Sequence, residues 1–238
     1  MIVFNKNAVL QVIFVMTLLC CACKTTNKTQ VKCCGINQDI PDFKGDTAFQ
    51  NIYYPELVSK KILTPIKRSN APLEIRYTIL AGGHTETLVI ECRGKAMHVM
   101  VYRFGRVNKT MASQYVNSDN IDIGSERAID KYTTILNVRD LSDRYKTFDW
   151  NNLFHTLIKN HFFDLPGDPV YQDSIKKLRP GAYPPDGYIN YFEIKVGNQF
   201  RNVEYQDSNY TVGVPGLDFV QNEISNQKSL GVFFQKPN

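Results

Sequence analysis

The chain has 238 residues, 43% of them hydrophobic and 21% charged, with a mean hydropathy of -0.30. That composition excludes a disordered tail, a collagen-like fibre and a polytopic membrane protein. The formal net charge of +5 is far short of the dense basic patch that nucleic-acid binding requires, so no nucleic-acid partner is expected.

Residues 1–22 read as a signal peptide. After Lys6 an uncharged run of 12 residues, 8–19 (AVLQVIFVMTLL), is too short for the ~20 residues that cross a bilayer and suits the apolar core of a leader. It ends in Leu18-Leu19-Cys20-Cys21-Ala22-Cys23-Lys24. This segment resembles the lipobox of bacterial lipoproteins, in which a small residue precedes a cysteine that receives a thioether-linked, palmitate-type diacylglycerol. Leu19 precedes Cys20 and Cys20 precedes Cys21, whereas Ala22 precedes Cys23, so the resemblance makes Cys23 the lipidated residue. Cys21 is the minor alternative, because Cys20 stands where the lipobox usually has leucine. The competing reading is an ordinary secretory signal with incidental cysteines. A lipid on Cys23 makes a membrane the first partner and the cell envelope the location. In lipoproteins of this kind, export to the surface goes with acidic residues after the cysteine. Here Lys24, Lys28 and Lys32 precede any acid, which points to the periplasmic side.

With Cys23 consumed and Cys20 and Cys21 removed, the thiols left are Cys33, Cys34 and Cys92. Three cannot close a disulfide framework. A bridge between adjacent Cys33 and Cys34 needs a strained eight-membered ring, so one of them pairing with Cys92 is the ordinary expectation in an oxidising compartment. Metal ligation fails on spacing, since there is no Cys-x-x-Cys and His84, His98, His155 and His161 form no zinc pattern. No metal and no cofactor are expected.

Residues 23–70 read as a lipid-anchored tether. KTTNKTQVK has no apolar period, and Pro41, Pro55 and Pro65 with Gly35, Gly45 and Asn51 punctuate the rest. Phe43, Phe49, Ile52, Tyr53 and Tyr54 are positioned to dock part of it on the domain that follows.

Residues 71–238 are then the folded domain. Three runs alternate in the manner of strands: 73–81 up to Gly82-Gly83, 85–92 up to Arg93-Gly94-Lys95, and 96–104. Residues 105–129 are polar and turn-rich, and 132–138 (YTTILNV) is a fourth strand. Asp149 caps a helix whose apolar stripe is Trp150, Leu153, Phe154, Leu157, Ile158 and His161, one face of a 3.6-residue period. The stripe makes Trp150 a core anchor, and Pro166 is expected to stop the helix. Beyond a proline-rich crossing and an Asp186-Gly187 turn, 188–196 and 199–206 form a hairpin through Gly197-Asn198. Pro215 starts a second helix, with Leu217, Val220 and Ile224 inward, through Asn226. The predicted class is α+β: an antiparallel meander of three to four strands plus a hairpin, packed by two helices.

The meander with Gly82-Gly83, Phe162-Phe163-Asp164-Leu165-Pro166, the strand containing Tyr191, the stretch from Val203 to Ser208 (VEYQDS) and Pro215-Gly216-Leu217 resemble the emfourin family of small bacterial protease inhibitors over about residues 73 to 226. They also resemble other bacterial lipoproteins with that order of elements. The insertions at 105–147 and 167–187 depart from the compact family pattern, and no inhibitory residue carries over.

Catalytic motifs are missing from the sequence: no Gly-x-Ser-x-Gly elbow, no phosphate-binding glycine loop and no Cys-His pair. Cys92 falls mid-strand, where a thiol is usually inert packing. His155 and His161 lie about 120° apart on the helix. The acids Asp164, Asp168, Asp173 and Asp186 mark the loop region where a site would assemble. No residue is singled out as catalytic or ligand-binding. The leading expectation is a non-enzymatic, lipid-anchored binding protein with a protein partner, inhibition being its most specific form. The alternative is an envelope hydrolase or saccharide-binding accessory protein, with Tyr171, Tyr183, Tyr188 and Tyr191 around a concave site.

Overall fold

The computed structural model describes residues 28–43, 62–81, 84–108, 120–122, 132–166, 173, 177, 189–206 and 218–235. Strands β1 (Lys28–Cys33) and β2 (Ile36–Pro41) pair as an antiparallel hairpin. Then come β3 (Leu73–Ala81), β4 (His84–Arg93), β5 (Ala96–Asn108), β6 (Asn120–Asp122), β7 (Tyr132–Asp140), helix α1 (Trp150–Lys159), β8 (Ile189–Val196), β9 (Gln199–Gln206) and helix α2 (Asp218–Gly231). Seven strands form one antiparallel sheet in the order β6-β7-β5-β4-β3-β8-β9, and the β1–β2 hairpin is a separate two-stranded sheet.

The architecture is α+β and dominated by sheet. The expected three or four meander strands plus a hairpin is too low a count. β5 runs on to Asn108, and its last residues, polar apart from Val107, pair with Thr134, Thr133 and Tyr132, while β6 pairs outside β7. Ladder hydrogen bonds belong to the backbone, so a polar segment beside an established strand extends the sheet despite its weak alternation.

Strand alternation gives the sheet two faces. Leu73, Ile75, Leu88, Ile90, Val99, Val101, Phe192 and Ile194 point to the helical side and join Leu153, Phe154, Leu157, Val220, Ile224 and Leu230 in the main core. Each such side chain contributes roughly 1.5–3 kcal/mol by leaving water. Val31, Ile36, Ile40 and Phe43 belong to the same core, so part of the stretch expected as tether is packed. Trp150 is 5% exposed and stacks on Phe233 at 5.8 Å, beside Phe148 and Tyr145.

Helix α1 begins where the sequence places it, with the Asp149 carboxylate accepting from Asn152 N at 3.0 Å. Its end differs from the expectation. His161 takes a φ of 54°, Phe162 N donates to Leu157 O at 2.9 Å and His161 N donates to Ile158 O at 3.0 Å. This paired capping closes the helix before Pro166 can act. It also turns His161 outward, off the apolar stripe, to meet Asp164 at 3.2 Å. Asn226 of α2 donates to Asn160 O at 3.1 Å, and Arg201 and Tyr205 of β9 donate to the carbonyls of Phe163, Leu165 and Pro166, fastening the segment behind α1. Helix α2 runs past Asn226 to Gly231. No helix among the described residues is long and apolar enough to cross a membrane.

Candidate functional site

The first feature is a cluster of sulfur atoms where the N-terminal hairpin meets the sheet. Cys34 and Gly35 are the two central residues of the β1–β2 turn, with φ of 54° and 84°. Positive φ at both positions is what a two-residue turn of this hand demands. Glycine accepts it freely, whereas a side chain in that conformation costs about 1–2 kcal/mol. Asn151, in the first turn of α1, holds the turn in place. Its Oδ1 accepts from Asn37 N at 3.0 Å and its Nδ2 donates to Gly35 O.

Cys33 points from β1 into the core and is disulfide-bonded to Cys92 at the end of β4, across a sequence separation of 59. Both are buried, at 6% and 1% exposure. Cys34 is half-buried and keeps its thiol, with Sγ 3.0 Å from Cys33 Sγ and 3.6 Å from Cys92 Sγ. Met97 Sδ adds a fourth sulfur 3.9 Å from Cys33 Sγ. Burial pushes the Cys34 thiol above its ordinary pKa by desolvating the thiolate. The three cysteine sulfurs all lie within 4.8 Å of one another, which is also metal-ligand spacing for soft ions once the bridge is reduced. The sequence anticipates that one of the adjacent cysteines pairs with Cys92, but not which one, nor that the other stays in contact with the bridge. The available signal is Cys-Cys-Gly between short alternating runs, a hairpin turn that the polar KTTNKTQVK stretch disguises.

The second feature is a buried charged row on the other face of the sheet. Glu74, Arg76, Glu193 and Lys195 are 2%, 2%, 4% and 9% exposed. Register puts Glu74 beside Lys195 and Glu91, and Arg76 beside Glu193. Arg76 bonds Glu74 at 2.6 Å, lies 3.8 Å from Glu193 and donates to Thr64 O at 2.6 Å. Lys195 donates to the carbonyls of Ser69 and Ala71. The chain from Ile62 to Ala71 thus roofs this face, with Leu63 packing on Val89, Tyr102 and Tyr191. Burial raises the Glu193 carboxyl to about 8 by desolvating its charged form. Tyr191 is likewise pushed up to about 12, with its hydroxyl accepting from Asn202 at 2.8 Å.

Of the residues the sequence singled out, Cys23, Asp168, Asp186, Tyr171, Tyr183 and Tyr188 lie outside the described residues. Asp173 and His155 are exposed, and His98 is half-buried on β5. Tyr191 is 2% exposed within the charged face, so it is a packed residue there. His161 meets Asp164, and both side chains are more than half exposed, at 63% and 51%. The structure therefore selects Cys33 as the partner expected for Cys92, and adds the nearby Cys34 thiol and the buried charged row, which spacing did not anticipate. No known protein family matches the chain, and no curated protein matches it either.

Proposed function

We propose that this is a lipid-anchored protein of the bacterial cell envelope, exported by residues 1–22, held by a lipid on Cys23 and facing the periplasm. Its α+β domain is a non-enzymatic binding module for a protein partner, and inhibitor-like binding is its most specific form. The observation that carries the reading is the Cys33–Cys92 disulfide. Such bonds persist in oxidising compartments, the destination that the leader implies. The hairpin it secures begins at Lys28, five positions after Cys23. Five residues reach at most about 17 Å, so an anchor at Cys23 would hold the domain close to the bilayer. Lys28 and Lys32 are exposed and alternate on one face of β1, where each adds up to ~1 kcal/mol of attraction to an anionic leaflet. The binding role rests on the resemblance over residues 73 to 226.

The test is intact mass and detergent-phase partitioning of the natively expressed protein beside Cys23→Ala. A lipid-sized mass increment with detergent partitioning, both lost in the variant, is the expected result. A water-phase wild type cleaved elsewhere sinks the proposal.

A further inference from the structure

We propose that Cys33, Cys34 and Cys92 form a thiol–disulfide exchange site whose external reactant is a dithiol, admitted through Cys34. The buried bridge by itself is closed to solvent, since Cys33 and Cys92 are 6% and 1% exposed. An external thiolate has to reach one of its sulfurs, and access governs such attack. Cys34 is the partly exposed member of the cluster, and its sulfur is within van der Waals reach of both bonded sulfurs. It is held in the turn that Asn151 clamps to α1.

The first step is internal. Cys34 loses its proton and its Sγ attacks Cys92 Sγ; the Cys34–Cys92 bond forms, the Cys33–Cys92 bond breaks, and Cys33 leaves with the electron pair and takes up a proton. Nothing is oxidised or reduced overall. The alternative attack, on Cys33, closes the ring between adjacent residues and is disfavoured. The sulfurs form a triangle at rest, because Cys34 lies nearer Cys33 than Cys92, so Cys34 must rotate to line up with the bond it breaks. Met97, a flexible thioether against Cys33, is a neighbour able to adjust when that sulfur is released.

The second step uses the reactant. One thiolate of the dithiol attacks Cys34 Sγ, forming a mixed disulfide and releasing Cys92 as a thiolate that is then protonated. The second thiolate of the same molecule attacks its own mixed-disulfide sulfur, leaving as a cyclic or bridged disulfide and freeing Cys34. The dithiol has lost two electrons and two protons, and the protein has gained them as two thiols. Run backwards, the same steps oxidise the protein.

Dithiothreitol is the probe, applied under native conditions to the full protein in detergent, followed by acid quench and thiol tagging. Trypsin separates residues 33–44, which hold Cys33 and Cys34, from 77–93, which hold Cys92. The tags are therefore read free of Cys20, Cys21 and Cys23, whatever becomes of the anchor. The wild type is expected to be reduced at least tenfold faster than Cys34→Ser, and at least tenfold faster than wild type whose Cys34 has first been blocked with N-ethylmaleimide. The blocked protein keeps the native sequence, so slow reduction there cannot come from misfolding of a variant. Before dithiothreitol is added, Cys33→Ser is expected to hold the Cys34–Cys92 bridge and to give no free thiol on the 77–93 peptide. Reduction of blocked and unblocked protein at rates within twofold of each other, or a free Cys92 in Cys33→Ser before dithiothreitol is added, would overturn the proposal.

Discussion

Replacing Cys92 by alanine removes the bond that ties the N-terminal hairpin to the sheet. The bridge closes a loop between residues 59 apart, and chain-entropy arithmetic for a loop of that length gives about 14 cal/mol/K, or ~4 kcal/mol at 25 °C. Truncating a side chain that is 1% exposed adds a small void, on the order of 1 kcal/mol. Reduction of the wild type removes the first contribution without the second, so the two separate. The assay is urea unfolding of the full chain with and without reductant, beside Cys92→Ala. Oxidised wild type should exceed reduced wild type by about 4 kcal/mol, a midpoint shift on the order of 2 M for an ordinary urea dependence. Cys92→Ala should lie up to ~1 kcal/mol below the reduced protein and should not respond to reductant. The apolar contacts of Val31, Ile36, Ile40 and Phe43 remain in every sample, so the difference isolates the cross-link. A gap between oxidised and reduced wild type below about 1 kcal/mol would refute the reasoning, because the hairpin would then be held by packing alone.

Glu193 predicts a pH dependence of opposite sign to that of an ordinary ion-paired carboxylate. Its folded value near 8 lies above the unfolded 4.5, so the native state binds the proton more tightly; stability is full below pH 4.5 and falls as pH climbs through 8. The loss amounts to a few kcal/mol. Denaturation midpoints at pH 6 and pH 9 should show it and Glu193→Gln should flatten it, whereas an unchanged slope in the variant would assign the effect to other groups. Asp149→Ala removes the side chain that accepts from Asn152 N and should cost about 1 kcal/mol in thermal unfolding. A cost near zero would mean that water replaces the cap fully.

Much of the sheet is legible in the chain because alternation is a local property. Leu73, Ile75 and Tyr77 announce β3, Ala96 to Phe104 announces most of β5, and Gly197-Asn198 sets the β8–β9 register with a φ of 56° at Gly197. The helix start is equally local, since a capping carboxylate acts within three residues. The helix end is less so. Pro166 is a true stop signal, but the paired backbone bonds at Phe162 and His161 end the helix first.

What the sequence by itself determined is which side chains alternate and where turns and caps fall. Tertiary structure decided which distant segments meet. Glu74, Arg76, Glu193 and Lys195 sit at the polar positions of their strands, which reads as an outward face, and only the roof from Ile62 to Ala71 makes that face interior. Cys33 and Cys34 look interchangeable in sequence. The hairpin pleat separates them, since alternation sends Cys33 inward to Cys92 and the left-handed turn leaves Cys34 half outside. Burial and sulfur proximity are relations between elements far apart in the chain, and periodicity along one strand has no means of encoding them.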